Sequence, residues 1–389
     1  MKLSVLPTII AFLLAQSASG GTNTAYGGEE LSVGRTTDVH AVHGIQTSSG
    51  SSVLVGKGGE SESSANTYAF AVSLSSTGAK QWGWGSNKSG SDAANSVAEL
   101  SSGDLLVAGW RTVGSVGKRS ITKISSSGTE LYTATDFGDS SSSNGAYEMI
   151  VVDSTDVYLA GLNKKATLDE MAFKSYGNVP GGTAIVQKMP FGSSAPTSSD
   201  VTWSREFSGY FTAKIVVPIR ADKVAVQLFG EEEEKMAAVV MLNSNDGNIV
   251  WGPTVYGDEH GEGTDMTASV DGTFLVMVGH GDGGTGVGIS GRVTKISVSD
   301  GAALWDNSYS VGGNAKLIFN ECWGVVAQAD GSGFEVACGA GIEYDTCGHV
   351  TGQDKTASCC WGGGRLPTME GTLTEEMKAT WTEEAPLPL

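Results

Sequence analysis

Acidic side chains and two histidines form three groups in the second half of the chain. They are Glu231, Glu232, Glu233 and Glu234, then Asp258, Glu259, His260 and Glu262, and finally His280 with Asp282. Carboxylate oxygens are the ligands that a hard cation such as Ca²⁺ prefers, and Glu259, Glu262 and Asp282 are the candidate Ca²⁺ ligands. A histidine among carboxylates suits a transition metal or general-base catalysis, for which His260, His280 and Asp282 are the first candidates. An acidic surface that only keeps the protein soluble is the alternative.

The five cysteines are concentrated near the C-terminus, at Cys322, Cys338, Cys347, Cys359 and Cys360. In an oxidising compartment they are expected to pair, and the odd number leaves one for a mixed disulfide or a partner chain. Cys322 and Cys338 fall on adjacent predicted strands and are candidates for a local bridge, although connectivity does not follow from sequence. With His349, several of these cysteines have the residue types of a zinc site, but their spacing matches no standard one.

Other sequence motifs for catalysis are weak. The segment 281–286 matches the dinucleotide-binding pattern by letter, but the residues after it predict another strand and not the helix whose N-terminus would hold a pyrophosphate. The chain has no serine-hydrolase elbow, P-loop or H-E-x-x-H motif. His40 and His43 lie on one predicted strand, where their odd spacing predicts opposite faces, and ordinary hydrogen-bonded histidines are expected there.

A sequence repeat predicts the strands between which these residues lie. A glycine is followed four residues later by a large aromatic residue in four copies, which are Gly78 with Trp82, Gly128 with Tyr132, Gly247 with Trp251, and Gly301 with Trp305. A fifth copy keeps the aromatic, Trp203, and lacks the glycine. A period of about 50 residues is typical of a repeat fold built from small antiparallel sheets. The aromatic residue is expected to pack an outer strand against the neighbouring repeat.

Each repeat predicts four strands in an up-and-down order. In residues 92–132 they are 97–100, 105–109, 120–124 and a short edge strand ending at Tyr132, separated by serine- and glycine-rich turns. The corresponding strands elsewhere are 39–45, 53–56 and 69–74 with Trp82; 149–152, 157–161 and 184–188 with Trp203; 215–218, 224–229 and 238–242 with Trp251; 266–270, 274–279 and 292–296 with Trp305; and 323–328 with 334–338. We therefore predict an all-β fold, a single β-propeller of six or seven four-stranded blades with an irregular C-terminal tail.

The repeat resembles that of the quinoprotein (PQQ-like) propellers, in which a strand is followed by Asp or Thr with Gly, and by Trp four residues after the Gly. Thr77 and Gly78 with Trp82, Asp246 and Gly247 with Trp251, and Asp300 and Gly301 with Trp305 carry the pattern, over about residues 39–340. The resemblance implies the propeller fold, which hosts enzymes, scaffolds and binding modules. Quinoprotein alcohol dehydrogenases have an adjacent-cysteine disulfide near their quinone; because Cys359 and Cys360 lie in the tail, PQQ is not assigned.

The two ends of the chain predict export. Residues 1–20 start with Lys2, continue with an apolar run at 9–14 and end with small residues, as in a secretory signal peptide; the run is too short to span a bilayer. Residues 21–345 are predicted to form the propeller and 346–389 a Cys- and Gly-rich irregular segment with an acidic tail. No transmembrane segment is predicted. The protein is expected to be secreted and extracellular, or periplasmic in a bacterium, and Asn87 is a candidate glycosylation site.

Charge and strand order define the functional hypotheses. A net charge of −19 excludes nucleic acid as a plausible partner and favours a protein, a glycan or a cationic ligand. Strand order places the acidic groups on one end of the blades. The first hypothesis is a secreted or cell-surface binding module without catalysis, with Ca²⁺ as the one cofactor candidate. The alternatives are an extracellular enzyme, either a quinone-dependent oxidoreductase or a metal-assisted hydrolase, and a structural protein whose odd cysteine joins chains.

Overall fold

The computed structural model describes residues 38–59, 67–86, 90–138, 144–165, 182–219, 222–230, 237–256, 262–282, 289–309, 318–331, 333–342 and 372–373. Almost all of them lie in β-strands or in the turns between strands. The described residues divide between two units, one comprising 1–262 with 343–364 and the other 263–342 with 365–389. Each unit is built from antiparallel sheets whose strands follow one another in sequence.

The first unit contains four blades, each a four-stranded meander. Their strands are β1 (Asp38–Gln46), β2 (Ser52–Gly59), β3 (Thr67–Leu74) and β4 (Lys80–Gly85); β5 (Ala93–Glu99), β6 (Leu105–Val113), β7 (Val116–Ile124) and β8 (Glu130–Ala134); β9 (Asn144–Asp153), β10 (Asp156–Lys165), β11 (Thr183–Pro190) and β12 (Trp203–Phe207); and β13 (Tyr210–Ile219), β14 (Lys223–Gly230), β15 (Ala238–Asn243) and β16 (Ile249–Val255). The predicted strand order of these blades is confirmed.

The second unit contains the fifth and sixth blades. The fifth is β17 (Glu262–Ala268), β18 (Phe274–Asp282), β19 (Ile289–Ser297) and β20 (Ala303–Tyr309), and the sixth is β21 (Ile318–Ala327), β22 (Phe334–Ile342) and β23 (Thr372–Leu373). No third strand was predicted for the sixth blade, but β23 pairs with Phe334 and Glu335 of β22. A two-residue strand is too short to leave a periodic signal. The predicted all-β propeller fold is confirmed, with four strands in each of the first five blades and three described strands in the sixth.

Burial explains why these segments form strands. The second strand of a blade is apolar and buried on both faces where neighbouring blades of one unit cover both sides of it, as in β6 between the first and third blades. The fourth strand is mostly exposed, as in β16. Apolar clusters join the first blade to the second, the second to the third, the third to the fourth and, in the second unit, the fifth to the sixth. We call each such contact between neighbouring blades a seam.

A β-bulge interrupts the first strand of five blades. Each bulge leaves one residue out of the register. These residues are Val42, Asn95, Glu148, Lys214 and Trp323, and β13 has a second register shift at Phe211. The bulge changes the parity of the strand. The bulge at Val42 breaks the strict alternation on which the prediction for His40 and His43 rested, because they are registered opposite Lys57 and Val55, two residues apart on β2.

The repeated glycine and aromatic residues meet across seams. The Trp82 indole Nε1 donates to the carbonyl of Ser126 in the next blade at 3.0 Å, and the ring covers Gly128, where a Cβ atom would come within 2.8 Å of it. Trp203 repeats this with Ser244 at 2.9 Å and with Gly247, where the corresponding distance is 2.7 Å. The expected packing of the aromatic on the neighbouring blade is confirmed. The glycine of one repeat thus accommodates the aromatic of the preceding repeat.

The two irregular copies of the repeat belong to one seam. Tyr132, which stands where other blades have tryptophan, lies beside Phe191 of the third blade with ring centroids 6.5 Å apart. In the third blade, residues 191–202 replace the tight turn between the third and fourth strands and include a 3-10 turn at Ser198–Asp200. No turn glycine lies four residues before Trp203. The aromatic residue of the preceding blade that would cover such a glycine is Tyr132, which is smaller than tryptophan.

Gln227 on β14 predicts a stabilising substitution. Its side chain is fully buried, and neither Nε2 nor Oε1 has a hydrogen-bond partner in the described part of the chain. It is registered between Ile215 and Val239. Because a buried unsatisfied amide costs about 1–3 kcal/mol, Gln227→Met is expected to raise the free energy of unfolding by about that amount, measured by urea denaturation.

The matched control is Gln187→Met. Gln187 is as deeply buried, but its Oε1 accepts from the Arg119 guanidinium at 2.7 Å and from the Tyr147 hydroxyl at 2.5 Å. That substitution leaves buried donors unpaired and should lower the free energy of unfolding. Equal destabilisation by both substitutions would show that Gln227 has a partner.

Candidate functional site at the inner strands

Most of the predicted site residues lie outside the described residues. These are Glu231, Glu232, Glu233, Glu234, Asp258, Glu259 and His260, together with Asn87, Cys347, Cys359 and Cys360. Glu262 begins β17 and Asp282 ends β18, and for both the backbone alone is described. His280 is therefore the predicted ligand or catalytic residue whose surroundings the structure reveals.

The two ends of every blade differ, and we name them by their connections. At the turn end, the first strand turns into the second and the third into the fourth. These turns are mostly closed by their own backbone hydrogen bonds, as at 47–51, where Gly50 N donates to Thr47 O at 2.8 Å, and at 125–129, where Gly128 N donates to Ser125 O at 2.9 Å. At the loop end lie the connection from the second to the third strand and the connection to the next blade. By strand order, the connections β14–β15, β16–β17 and β18–β19, in or beside which the three acidic groups fall in the sequence, are loop-end connections.

His280 lies near the loop end of β18 and faces the sixth blade. Its ring centroid is 6.3 Å from that of Trp323, with an interplanar angle of 48°. Trp323 is the bulged residue of β21 and is half-buried. The sequence predicts an ordinary strand beginning at Trp323. The bulge that takes Trp323 out of the register with β22 has no evident sequence signal.

Asp265 lies on the first strand of the fifth blade, at the same seam. Its carboxylate accepts from the backbone N–H of Val325 on the next blade at 2.9 Å and from that of Met266 at 2.9 Å. Burial raises the pKa of Asp265 to about 6, although the two backbone hydrogen bonds oppose this shift. At neutral pH the group is therefore mostly a carboxylate, held next to the bulge at Trp323. Asp265 was not predicted as a site residue, because an isolated Asp in a strand segment carries no local signal.

Asp265 occupies a position that recurs at other seams. There too, a side chain on the first strand accepts the N–H of the following blade: His43 Nδ1 from Val97 at 3.3 Å, Ser96 Oγ from Ile150 at 3.3 Å, and the Met149 sulfur from Val216 at 3.4 Å. Burial lowers the pKa of His43 to about 4, so its imidazole is neutral and able to accept. His43 is the hydrogen-bonded histidine that the sequence predicts.

The residue before this position donates to the next blade at two seams. Asn95 Nδ2 donates to the carbonyl of Tyr147 at 2.9 Å and to the Glu148 carboxylate at 3.3 Å. In the second unit, the Thr264 hydroxyl contacts the carbonyl oxygens of Cys322 and Val278. The first strands of neighbouring blades are therefore linked in both directions, which fixes the residues displayed between them.

A disulfide joins Cys322 and Cys338, which are directly opposite on β21 and β22. The predicted local bridge is confirmed. Within the described ranges, no three His, Cys, Asp or Glu side chains are close enough together to hold a metal ion. The Ca²⁺ ligands Glu259, Glu262 and Asp282 stay a prediction, because their side chains are not among those described. No described helix is long and apolar enough to cross a membrane.

Comparison with known proteins gives similarity in structure without similarity in sequence. No protein family model matches the chain, and no curated protein matches its sequence. Similar solved structures include the WD40 domain of Neurospora crassa Pan2, with 9% identity, 70% of this chain and 69% of that chain covered, and a TM-score of 0.41. They also include a polysaccharide lyase of the ulvan lyase family PL25, with 9% identity, coverages of 77% and 78%, and a TM-score of 0.48. A Lactobacillus plantarum protein has 13% identity, coverages of 82% and 82%, and a TM-score of 0.44.

All three TM-scores are low, so the propeller architecture rests on the strand order of the chain itself. The chain resembles the quinoprotein repeat, but no family model of that repeat matches it.

Proposed function

We propose that the protein is a secreted binding module that uses the loop ends of its blades to bind a cationic partner, without catalysis of its own. The observation that carries this proposal is the division between the two ends of each blade. Most turn-end connections are short turns that close on themselves, with residues 191–202 of the third blade as the exception. By strand order, the acidic groups fall in or beside the loop-end connections of the fourth and fifth blades, and binding residues are commonly found on variable loops held by a rigid scaffold.

The charge of the protein supports a cationic partner. A net charge of −19 attracts basic proteins and cations over long range and accelerates their association at low salt. The hydrogen bonds across the seams support a scaffold that changes little on binding. The Cys322–Cys338 disulfide supports an oxidising compartment, in line with the predicted signal peptide.

Titration with poly-L-lysine at low ionic strength tests this function. Replacing Glu231, Glu232, Glu233 and Glu234 together by Gln is expected to weaken binding by about tenfold or more, because these charges would contact the polycation. The matched control replaces Asp246, Asp271, Asp300 and Asp330 by Asn. These four are exposed residues of turn-end turns, so the control removes the same charge from the opposite end and should change the affinity by less than about threefold.

Equal loss of affinity in the two variants would show that net charge alone attracts the polycation and would contradict a loop-end site. The same titrations in EDTA and in millimolar Ca²⁺ test the cofactor candidate. Ca²⁺ bound at Glu259, Glu262 and Asp282 should compete with poly-L-lysine and raise the midpoint of thermal unfolding.

A further inference from the structure

We propose that Asp265, His280 and Trp323, at the seam between the fifth and sixth blades, form a binding site for the ammonium or guanidinium group of a basic side chain. This inference rests on the proposed function, because it names the chemical group recognised at one part of the loop-end surface. All three residues belong to the second unit.

The Asp265 carboxylate supplies the negative charge. One oxygen accepts from Val325 N and the other from Met266 N, so each oxygen keeps acceptor capacity for a further donor. No cationic side chain pairs with this carboxylate in the described part of the chain. Burial disfavours the ionised carboxylate and raises the pKa of Asp265, and a bound cation would stabilise the ionised form.

Trp323 and His280 supply the aromatic part of the site. Trp323 is displayed by the bulge of β21 and is half-buried, so part of its surface is accessible to a ligand. A cation placed over an indole face is attracted by the negative potential of the ring. Trp323 is next in the chain to Gly324, whose position is within 3.8 Å of the Asp265 carboxylate when a Cβ atom is built there. The Asp265 carboxylate therefore lies beside the residue that follows Trp323 in β21.

The other seams show why this one is distinctive. At each seam we compare the side chain that accepts the N–H with the bulged residue of the following blade. These are His43 and Asn95 at the first seam, Ser96 and Glu148 at the second, and Met149 and Lys214 at the third. At the seam between the fifth and sixth blades they are Asp265 and Trp323. Among these four seams, a carboxylate and an aromatic ring occur together only here. The hydrogen bond to the next blade needs neither of them, since serine and methionine accept it elsewhere.

The chemistry of these residues favours an organic cation over a metal ion or an anion. Ca²⁺ requires six to eight oxygen ligands, whereas the described site offers one carboxylate beside two aromatic rings. An anion would be repelled by that carboxylate. A lysine or arginine side chain can donate to the carboxylate while its charge or its alkyl stem contacts the indole.

The site is tested by binding of two blocked tripeptides to the full chain, acetyl-Gly-Lys-Gly-amide and acetyl-Gly-Gln-Gly-amide. The NMR signal of the Trp323 indole N–H monitors the binding. The lysine peptide is expected to bind at least about tenfold more tightly than the glutamine peptide. Asp265→Asn should remove this preference. Trp323→Leu should reduce lysine-peptide affinity, measured by calorimetry, by about threefold or more, whereas Trp323→Phe should preserve most of it.

Glu148→Gln is the matched control, because Glu148 is a partly exposed carboxylate on a first strand of the first unit. It should leave peptide binding unchanged. Affinity of the wild type should fall as the pH is lowered below about 6, since protonation of Asp265 removes its charge, and Asp265→Asn should abolish this dependence. His280 is a second titratable side chain at the site, and His280→Gln separates its protonation from that of Asp265. Tyr309 packs against the same seam, and burial raises its pKa further above neutral, so it stays protonated in this pH range. The side chains of Glu262, Asp282 and Glu321 are outside those described.

Equal binding of the two peptides, or an unchanged preference in both Asp265→Asn and Trp323→Leu, would overturn the site. The Trp323 variants keep the test valid if the Asp265 variant does not fold. Poly-L-lysine binding that is lost when Glu231–Glu234 are neutralised, but retained in Asp265→Asn, would leave the proposed function standing and reject this site alone.

Discussion

Replacing Asp92 by Ala is expected to lower the free energy of unfolding by about 3–5 kcal/mol, because it leaves the Arg111 guanidinium charged and buried without its partner. The two side chains are 5% and 0% exposed, and Arg111 Nη1 lies 3.1 Å from Asp92 Oδ2. Asp92 also accepts from the backbone N–H of Thr112 at 2.7 Å. The guanidinium lies 4.9 Å from the centre of the Trp84 ring, in the preceding blade, so the loss should loosen the first seam.

A double-mutant cycle with Arg111→Met separates the ion pair from other effects. The double variant should be much less unstable than the sum of the two single variants, because no buried charge is left unpaired. Glu206→Ala is the control at an exposed pair, since Glu206 and Lys164 are 35% and 56% exposed, and it should cost less than about 1 kcal/mol. Additive effects in the cycle would contradict a coupled pair.

Replacing Gly128 by Ala is expected to cost about 2–5 kcal/mol, because two penalties apply at once. Gly128 has φ of +88°, a conformation that costs a residue with a Cβ atom about 1–2 kcal/mol. The new methyl group would also lie 2.8 Å from the Trp82 ring and force it away from the next blade, an overpacking that costs about 1–3 kcal/mol. Thermal and urea unfolding measure the sum.

Gly50→Ala isolates the first penalty. Gly50 has φ of +85° in a turn with the same hydrogen bonds, and a Cβ atom there meets nothing within 4 Å. It should therefore cost only about 1–2 kcal/mol. The double variant Gly128→Ala with Trp82→Ala tests the clash directly, because the added cost of the methyl group should fall to that of Gly50→Ala. Equal costs for Gly128→Ala and Gly50→Ala in the wild-type background would mean that the tryptophan does not cover the turn.

Local sequence was sufficient for the blades and insufficient for their seams. Strand order followed from apolar runs separated by turns such as Asp271 with Gly272, because those signals lie within a few residues. The bulge at Val42 was missed, since a bulge depends on pairing with β2. β23 was missed because its pairing with β22 joins segments distant in sequence. The spacing of Gly128 and Tyr132 suggested a pair within one repeat, whereas Gly128 packs against Trp82 of the preceding blade.

The candidate site shows the same limit. His280 was identified from its residue type and its loop-end position, and the structure adds Trp323 beside it. Asp265 was not identified, because an isolated Asp in a strand carries no local signal. Its position becomes informative when it is compared with His43, Ser96 and Met149, and that comparison needs the hydrogen bonds across the seams.

Backbone amide hydrogen exchange, with and without poly-L-lysine, tests most directly whether the loop ends of the blades form the binding surface. If the loop ends bind the polycation, added protection is expected to be concentrated in the segments 231–236, 257–261 and 283–288, with none in the turn-end turns 47–51 and 125–129. Protection concentrated in the turn-end turns, or spread equally over both ends, would contradict a loop-end binding surface.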